Sequence, residues 1–452
     1  MADDTSLLLR ASPVSASSWV SAPTHRIGGS LTVPGDKSVS HRALLLGSIA
    51  AGPIEVEGFL DSADCRATRT AVEALGVRVE SIGNDRLRVT GPGPRGLREP
   101  AQPLDLGNSG TGIRLLTGLL AGLGIKAELT GDASLRSRPM ERIAAPLRQM
   151  GARIEARDGH PPIRLAGSAP RNGSLTGIDY TLPVASAQVK SAILLAGLSA
   201  SGTTVVRQPA VSRDHTERML QSLGAPIVFD QTHAAIKGPC VLSGGHIGVP
   251  ADFSSAAFFL VAGLLRAEEG LLIRGVGLNP TRTGLLDILR AMGGRIEIRD
   301  QRQLGAEPVG DLWVQRSVLR GIDVPPELVP LAIDEFPILF VAAAAAEGCT
   351  RVRGAAELRV KESDRIAAMA RALSDVGVGV NETTDGMDVE GGGLRAGRVD
   401  SAGDHRVAMS MAVAGLAATG PVQISDIRNV DTSFPGFAEL ARSVGFALEA
   451  EG

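Results

Sequence analysis

The chain has 452 residues, a formal net charge of −3 and an aromatic content of 3%. One hydrophobic core does not serve a chain of this length, so two domains are expected. Near-neutral charge and scarce aromatic rings argue against nucleic-acid binding. The longest apolar run, residues 336–346, is far shorter than the about 20 residues that span a bilayer.

Residues 1–26 are rich in Ser, Ala and Pro and are predicted to be a flexible N-terminal tail. The chain begins Met-Ala-Asp-Asp, without the basic and apolar segments of a signal peptide. Cys65, Cys240 and Cys349 lie far apart and form no C-x-x-C pair. This pattern favours a reducing compartment and argues against disulfides or a zinc site, so a cytoplasmic protein is expected.

The first chemical signal is the segment Pro34–Arg42, which follows a short strand-like run. Pro and Gly end the strand, and Ser38 or Ser40 can cap the helix that follows. Lys37 then lies at the positive end of a helix dipole, where a cation is disfavoured by about 0.3–1 kcal/mol. With Arg42 and free backbone N–H groups, it indicates an anion-binding site; a solvated basic turn is the alternative.

A pattern of helix, glycine and short strand recurs along the chain in two series, each with a spacing of roughly 70 to 80 residues. Glycine is a common residue just after the last helical turn. The recurrence predicts six copies of a β-α-β-α-β-β unit, whose right-handed connections place both helices on one side of a small sheet. The glycines of the two series are Gly52, Gly124, Gly202, Gly270, Gly348 and Gly420, and Gly76, Gly151, Gly224, Gly293, Gly377 and Gly445.

Units of one orientation would bring their helix N-termini together and create a region that attracts anions. Capping explains the Ser, Thr, Asn and Asp residues at the predicted helix starts, but it does not explain basic residues there. Unrelated surface charges are the alternative. The basic residues in question are Lys37, Arg138, Arg213, Lys361 and Arg406.

Three further segments offer polar groups at predicted helix starts. Leu106–Arg114 is glycine-rich, and Gly110 leaves the backbone open to a ligand, although an ordinary tight turn fits equally well. Gly131–Met140 places Arg138 before a proline, where its guanidinium can clamp a carboxylate or phosphate. Val184–Ser191 offers hydroxyl and amide groups for a polyol or phosphate, or else a capped core helix.

Charged residues in the second half suggest acid–base chemistry. Asp334 and Glu335 interrupt an apolar run, where a carboxylate is expected to have a raised pKa that suits a general base; helix capping is the alternative for Asp334. Lys361 and Arg365 are predicted one helical turn apart, where like charges repel unless an anion lies between them; a salt-bridged surface is the alternative. No cluster has metal-ligand spacing, so no metal site is expected.

At these motifs the chain resembles the 5-enolpyruvylshikimate-3-phosphate synthase family, and Gly131–Met140 and Val184–Ser191 are similar to its bacterial class II branch. The matching segments follow the family's order over nearly the whole chain after residue 26. They are Pro34–Arg42, Leu106–Arg114, Arg136–Met140, Ser186–Gln188, Asp334–Glu335, Arg359–Arg365 and Asp404–Arg406.

The resemblance implies an α/β protein with the two-domain enolpyruvyl transferase fold, an inside-out α/β barrel with three β-α-β-α-β-β repeats in each domain. One domain would comprise residues 34–249, on the shikimate 3-phosphate side. The other would comprise residues 27–33 plus 250–452, and the active site would lie in the cleft between them. A monomer without nucleic-acid or membrane partners is expected.

The implied reaction transfers the enolpyruvyl group of phosphoenolpyruvate to the 5-hydroxyl of shikimate 3-phosphate and releases phosphate, as part of chorismate and aromatic amino acid biosynthesis. It proceeds through a tetrahedral intermediate by addition and elimination, without a cofactor. By position, Asp334 takes the hydroxyl proton beside Lys361, and either Glu362 or Lys37 protonates the methylene carbon. The residues implied for shikimate 3-phosphate are Lys37, Ser38, Arg42, Ser186, Ala187, Gln188, Ser212, Arg213, Asp334 and Lys361. Those implied for phosphoenolpyruvate are Lys37, Asn108, Gly110, Arg138, Gln188, Arg365 and Arg406.

The chain departs from some family members at two positions, with Thr432 in place of Lys and Glu357 in place of Asn. Gly110 stands where an added methyl group is associated with glyphosate tolerance, so glyphosate is expected to compete with phosphoenolpyruvate. One alternative is the related UDP-N-acetylglucosamine enolpyruvyl transferase, but Ala133–Met140 lacks its loop cysteine and Ser38 replaces its asparagine. The other is a non-catalytic anion-binding protein, which the acidic residues Asp334 and Glu362 argue against.

Overall fold

The computed structural model describes residues 18–93, 96–167 and 175–451. Strands are short and numerous. They are β1 (Ser18–Ala22), β2 (Gly29–Leu31), β3 (Ile54–Glu57), β4 (Arg78–Ser81), β5 (Arg86–Thr90), β6 (Leu104–Asp105), β7 (Lys126–Thr130), β8 (Ile154–Arg157), β9 (His160–Ala166), β10 (Asp179–Thr181), β11 (Gly202–Arg207), β12 (Ile227–Phe229), β13 (His233–Gly238), β14 (Gly245–Gly248), β15 (Leu271–Gly277), β16 (Arg295–Leu304), β17 (Glu307–Gln315), β18 (Cys349–Val352), β19 (Val380–Thr383), β20 (Gly386–Glu390), β21 (Gly397–Asp400), β22 (Val422–Ser425) and β23 (Ala447–Glu451).

Helices alternate with these strands along the chain. The α-helices are α1 (Lys37–Ile49), α2 (Ala63–Ala74), α3 (Gly110–Leu123), α4 (Ala133–Arg136), α5 (Glu141–Gln149), α6 (Ala187–Gly197), α7 (His215–Ser222), α8 (Phe253–Arg266), α9 (Gly284–Ala291), α10 (Phe336–Ala344), α11 (Arg365–Asp375), α12 (His405–Ala417) and α13 (Phe437–Ser443). The 3-10 helices cover Pro326–Leu328, Pro330–Ala332, Ala356–Val360 and Ile427–Thr432. Within the described ranges, no helix has the length and apolarity needed to cross a membrane.

The described strands form six small sheets, five of which share one pattern. In the order β6-β7-β9-β8, the first two strands are parallel and the others are antiparallel, and β10-β11-β13-β12 repeats this arrangement. The remaining sheets are β14-β3-β5-β4, β16-β17-β15-β2, β21-β22-β1-β23 and the three-stranded β18-β20-β19. The repeat predicted from the two glycine series is therefore present as six related sheets.

The N-terminal strand β1 lies between β22 and β23 in the sheet β21-β22-β1-β23. Trp19 in β1 faces Ile424 of β22 on one side and Ala450 of β23 on the other, in antiparallel register. The prediction of a flexible tail through residue 26 is therefore wrong for residues 18–22; residues 1–17 lie outside the described residues. A strand of five residues flanked by Ser and Pro carries too weak a local signal to be predicted from the sequence. Its partner strands lie about 400 residues away along the chain.

The buried apolar side chains fall into two cores. One draws on residues 39–249, and the other on residues 19–33 and 251–448. At the centre of each core are three helices that are buried almost all round: α1, α3 and α6 in the first, α8, α10 and α12 in the second. Helices without a polar face require burial on every side, so the sheets lie outside them.

The chain passes between the two cores at two adjacent segments. Asp36 donates its backbone N–H to Pro250 O at 2.8 Å, and Asp252 donates its own to Pro34 O, also at 2.8 Å. Each aspartate then caps the helix that follows it, because the Asp36 and Asp252 carboxylates accept from Val39 N and Ser255 N. The cap of α1 is thus Asp36, so the prediction of Ser38 or Ser40 in this role is wrong.

Candidate active site

A cleft between the two cores collects the N-terminal ends of the central helices. Its walls are formed by Lys37, Ser38, Asp64, Gly110, Thr111, Arg114, Arg138, Pro139, Arg142, Ser186, Gln188, Val189 and Arg213 from the first core, and by Asp252, Ser254, Arg282, Asp334, Glu357, Val360, Lys361, Glu362, Arg365, His405, Arg406 and Ser433 from the second. Lys37, Arg138, Lys361 and Arg406 therefore meet in one place, as the dipole argument requires.

The cleft is rich in positive charge. Nine of its lining residues are basic and five are acidic, a formal surplus of four positive charges. The starts of α1, α3, α6, α11 and α12 add the positive ends of their dipoles to this surplus. Such an environment favours ligands that carry several negative charges.

Lys37 is held at the first turn of α1 by an acidic partner. Its Nζ lies 2.9 Å from Asp64 Oδ2, and the lysine side chain is 21% exposed. Burial alone would lower the pKa of Lys37, but Asp64 and Glu362 raise it above the ordinary lysine value. The ammonium group therefore keeps its proton and its charge inside the cleft.

Arg138 is fixed by the neighbouring loop. Its Nη2 donates to Asn108 Oδ1 at 2.6 Å, and Asn108 Nδ2 donates in turn to Asp132 Oδ2 at 2.7 Å. Arg138 Nη1 lies 3.7 Å from Glu362 Oε1 on the opposite wall. Asn108 thus supports Arg138 from behind and does not itself line the cleft.

Asp334 lies just before α10 among four cations. It pairs with Arg213 across the cleft, and its Oδ1 lies 3.5 Å from Lys361 Nζ and 3.3 Å from Arg365 Nη1. Burial acts to raise the pKa of Asp334, but Lys361 and the arginines, Arg406 included, hold it well below the usual range. The prediction of a raised pKa at Asp334 is therefore wrong, because charges from three distant segments outweigh the apolar neighbours in sequence.

Lys361 and Arg365 do not share a helix. Lys361 follows the 3-10 helix Ala356–Val360, whereas Arg365 is the first residue of α11, so the prediction of two cations one turn apart on one helix is wrong. They are nevertheless neighbours through a shared anion, the Asp334 carboxylate. Like charges are tolerated there because an opposite charge lies between them.

Glu362 faces the cleft from the second wall. Its Oε2 accepts from Arg365 Nη2 at 2.5 Å, and burial, which would raise the pKa of Glu362, is outweighed by the charges of Arg365, Arg138 and Lys37. The carboxylate is therefore deprotonated in this arrangement, with a pKa well below the ordinary value.

The start of α12 brings a neutral imidazole, His405, and another cation, Arg406, to the cleft. Burial lowers the pKa of His405 to about 3, so the ring is uncharged at neutral pH, and its Nε2 is buried without a hydrogen-bond partner. Arg406 Nη1 donates to the Asp334 backbone carbonyl at 2.8 Å and lies 3.7 Å from Glu335 Oε1. Glu335 in turn accepts from Ser254 Oγ at the base of the cleft.

Most of the predicted site residues line the cleft, and four do not. The four are Arg42, Asn108, Ala187 and Ser212. Arg42 is 3% exposed and donates to Thr216 Oγ1, Ser191 Oγ and the Ser38 carbonyl, which ties α1 to α6 and α7. Ser212 donates to Gln208 Oε1. For these four, contact with a substrate stays a prediction.

Sequence reasoning did not assign several lining residues to the site. Arg114 follows the assigned Gly110 by four positions within α3, and this spacing predicts a shared helix face. Arg142 follows Arg138 by four positions, but Arg138 precedes α5, so the two do not share a helix. Arg142 Nη1 lies 3.5 Å from Glu357 Oε2 across the cleft. Asp64 and Arg282 carry no comparable signal, since their cleft partners are remote in sequence.

Among the residues that the structure describes, no group of three or more His, Cys, Asp or Glu side chains is arranged to hold a metal ion. The acidic residues of the cleft are instead paired with lysine and arginine.

The comparisons agree across sequence and structure. The sequence model of the family described as EPSP synthase (3-phosphoshikimate 1-carboxyvinyltransferase) matches residues 21–440. The 3-phosphoshikimate 1-carboxyvinyltransferase of Methylococcus capsulatus is 54% identical over 432 residues, 95% of this chain and 98% of that protein. That of Halorhodospira halophila is 54% identical over 436 residues, 96% of this chain and 97% of that protein.

Solved structures give the same result. EPSP synthase from Acinetobacter baumannii matches with a TM-score of 0.86 and 46% identity, covering 96% of this chain and 100% of that one. The enolpyruvyl transferase NikO from Streptomyces tendae shares the fold, with a TM-score of 0.77 at 19% identity over 96% of this chain and 98% of that one. The predicted α/β enolpyruvyl transferase fold is confirmed.

Proposed function

The chain belongs to the EPSP synthase family, and from this we propose that it transfers the enolpyruvyl group of phosphoenolpyruvate to the 5-hydroxyl of shikimate 3-phosphate. The observation that carries the proposal is the surplus of four positive charges in a cleft that also contains acidic groups. Each substrate carries a carboxylate and a phosphate, so both suit this field.

The reaction needs a base at the hydroxyl, and we propose Asp334 for this role. The 5-hydroxyl oxygen attacks C2 of phosphoenolpyruvate and loses its proton to the carboxylate, while the methylene carbon gains a proton. Asp334 is ionised, which a base requires, but its low pKa makes it a weak one. Substrate anions that pair with Lys361, Arg213 and Arg365 would offset these charges and raise the basicity of Asp334.

The proton donor to the methylene carbon is Glu362 or Lys37. Lys37 already carries its proton, whereas Glu362 is ionised and has to gain one first. A bound phosphoenolpyruvate that pairs with Arg138 and Arg365 would compete with Glu362 for the cations that lower its pKa, and so would favour its protonation. In the second step the C2–O bond to phosphate breaks, the methyl group returns a proton, and phosphate leaves.

The binding assignments are part of the same proposal. The phosphoenolpyruvate contacts are assigned to Lys37, Gly110, Arg138, Gln188, Arg365 and Arg406, and the shikimate 3-phosphate contacts to Lys37, Ser38, Ser186, Gln188, Arg213, Asp334 and Lys361; all of these line the cleft. Because both walls come from one chain, we infer that a monomer is sufficient for activity.

The alternatives have less support. A UDP-N-acetylglucosamine enolpyruvyl transferase would need a cysteine in the loop Ala133–Met140, and none of the cleft-lining residues is a cysteine. A passive anion-binding protein would gain nothing from Asp334 and Glu362, which weaken the binding of anions at the cations they neutralise.

The test is release of phosphate, and formation of the enolpyruvyl product, from phosphoenolpyruvate and shikimate 3-phosphate. Asp334→Asn should lower kcat by about 100-fold or more while product formation stays dependent on both substrates. The matched control is Asp179→Asn, since Asp179 also pairs with an arginine, Arg207, but on the exposed surface. An inactive wild type would refute the proposed function, and a fully active Asp334→Asn would show that Asp334 is not the base.

We also propose that glyphosate competes with phosphoenolpyruvate. It carries a carboxylate and a phosphonate, so it presents the same two anionic groups to Arg138, Arg365 and Arg406.

A further inference from the structure

Arg114 contacts the one glutamine that the proposed function places against both substrates. Its Nη1 donates to Gln188 Oε1 at 2.8 Å and to the Gly110 carbonyl at 3.2 Å. Gln188 Nε2 donates to Thr111 Oγ1 at 2.9 Å. Both ends of the Gln188 amide are therefore bonded to α3, although Gln188 itself belongs to α6.

The chemistry of these groups fixes which way the amide faces. A guanidinium group has donors only, so the oxygen of Gln188 must face Arg114 and the NH₂ group must face the other way. That NH₂ group has two N–H donors, of which Thr111 takes one. The second N–H remains for an acceptor in the cleft. Thr111 and Arg114, the two partners of the amide, lie one helical turn apart on the same face of α3.

Arg114 also reaches the loop that carries Arg138. Its Nη2 lies 3.4 Å from the Pro139 carbonyl, a long contact that contributes less than the bond to Gln188. Burial lowers the pKa of Arg114 to about 10, and Arg138 and Arg142 act in the same direction. Arg114 is repelled by the positive charges of Arg138 and Arg142. Its hydrogen bonds to Gln188 and to backbone carbonyls offset this repulsion.

We propose that Arg114 is a positioning residue, which orients the Gln188 amide so that an N–H donor faces the anionic oxygens of phosphoenolpyruvate or shikimate 3-phosphate. The inference depends on the proposed function, because it assigns a role to Gln188 in the same reaction. Without Arg114, the amide rotates between its two orientations and presents a carbonyl oxygen to an anion part of the time.

The test is a double-mutant cycle between Arg114 and Gln188, read as the KM for phosphoenolpyruvate and as kcat. Arg114→Met should raise that KM by about tenfold to 100-fold, the usual effect of losing a charged hydrogen bond. Gln188→Ala should raise it by a similar factor. In the double variant, the loss should be close to that of Gln188→Ala alone, because Arg114 acts through Gln188.

Two further variants separate positioning from a structural effect. Arg114→Lys keeps the charge and one donor group, so it should raise the KM for phosphoenolpyruvate by a smaller factor than Arg114→Met. Arg69→Met is the control: Arg69 is also a half-buried arginine of the first core that donates to a backbone carbonyl, that of Val79, and its loss should leave KM unchanged. If Arg114→Met does not fold, the cycle is run with Arg114→Lys.

Losses that multiply in the double variant would mean that Arg114 binds substrate directly, and the positioning role would be wrong. An unchanged KM in Arg114→Met would overturn it as well. Neither result affects the proposed function, which depends on the activity of the wild type.

Discussion

Gly110 shows how a single missing side chain shapes the site. A Cβ atom at this position would lie 2.7 Å from Arg138 Nη1 and 2.9 Å from Arg114 Nη1, closer than real contacts allow. The guanidinium groups could move, but only by leaving the positions set by Asn108 and Gln188. At the scale of one residue, glycine therefore keeps two cations close to the backbone.

Gly110→Ala should raise the KM for phosphoenolpyruvate by about tenfold, since Arg138 is displaced, and should weaken glyphosate inhibition by a larger factor. The measurement is the initial rate at varied phosphoenolpyruvate and glyphosate. In the wild type, glyphosate should raise the apparent KM without changing kcat. Wild-type rates that are unaffected by millimolar glyphosate would contradict the competition.

At the scale of the element, the pair α3 and α6 shows how close helix packing places side chains in the site. Gly118 and Gly122 in α3 let the helix backbones approach closely, because a Cβ at Gly118 would lie 2.3 Å from Ala192 O. The starts of the same two helices present Gly110, Arg114 and Gln188 to the cleft. Close helix packing therefore fixes the distance on which the Arg114–Gln188 bond depends.

Gly118→Ala should lower the free energy of unfolding by about 1–3 kcal/mol, since the added methyl group forces the helices apart. Alanine is the better helix former by about 1 kcal/mol, so propensity alone predicts the opposite sign. Chemical denaturation measures the effect. The control is Gly379→Ala, where the nearest heavy atom to the new Cβ is 3.4 Å away; an equal loss in both variants would contradict the packing argument.

At the scale of the whole molecule, Arg282 holds the two segments that connect the cores. Its Nη1 lies 3.1 Å from Asp36 Oδ2, and its Nη2 lies 3.4 Å from Asp252 Oδ1. Burial and Asp36 raise the pKa of Asp252 to about 6, whereas the pKa of Asp36 is held below its usual range against burial, by Arg282 first of all. One buried cation thus serves two helix caps on opposite sides of the cleft.

Arg282→Met should lower the free energy of unfolding by about 3–5 kcal/mol at pH 7–8, because it leaves buried carboxylates without their cation. The loss should shrink as the pH falls below about 6. In the wild type, Asp36 stabilises the fold above pH 3.8 because its folded pKa is lowered, and this contribution requires Arg282. In the variant the acids can instead bind protons, and each proton bound removes an unpaired charge.

Urea denaturation at pH 5 and pH 8 gives the comparison. Arg302→Met is the control, since Arg302 also pairs with two aspartates but is 44% exposed, and its loss should cost less than about 1 kcal/mol at either pH. If Arg282→Met loses more unfolding free energy at pH 5 than at pH 8, Arg282 is not the cation that stabilises the buried carboxylates of Asp36 and Asp252.

The sequence by itself determined the repeats, the starts of most central helices and the family. These are local patterns: glycine after a helix, a cap before one, and a cation at the positive end of a helix dipole, at Lys37 and Arg406. Each signal lies within a few residues and recurs, so it can be read without knowing what is near in space.

Only the tertiary structure decided which charges meet. The low pKa of Asp334 depends on Arg213 and Lys361, and the orientation of Gln188 depends on Arg114, all of them remote from their partners in sequence. The place of β1 between β22 and β23 is decided in the same way. Electrostatic and pairing energies depend on distance in space, and only folding sets that distance.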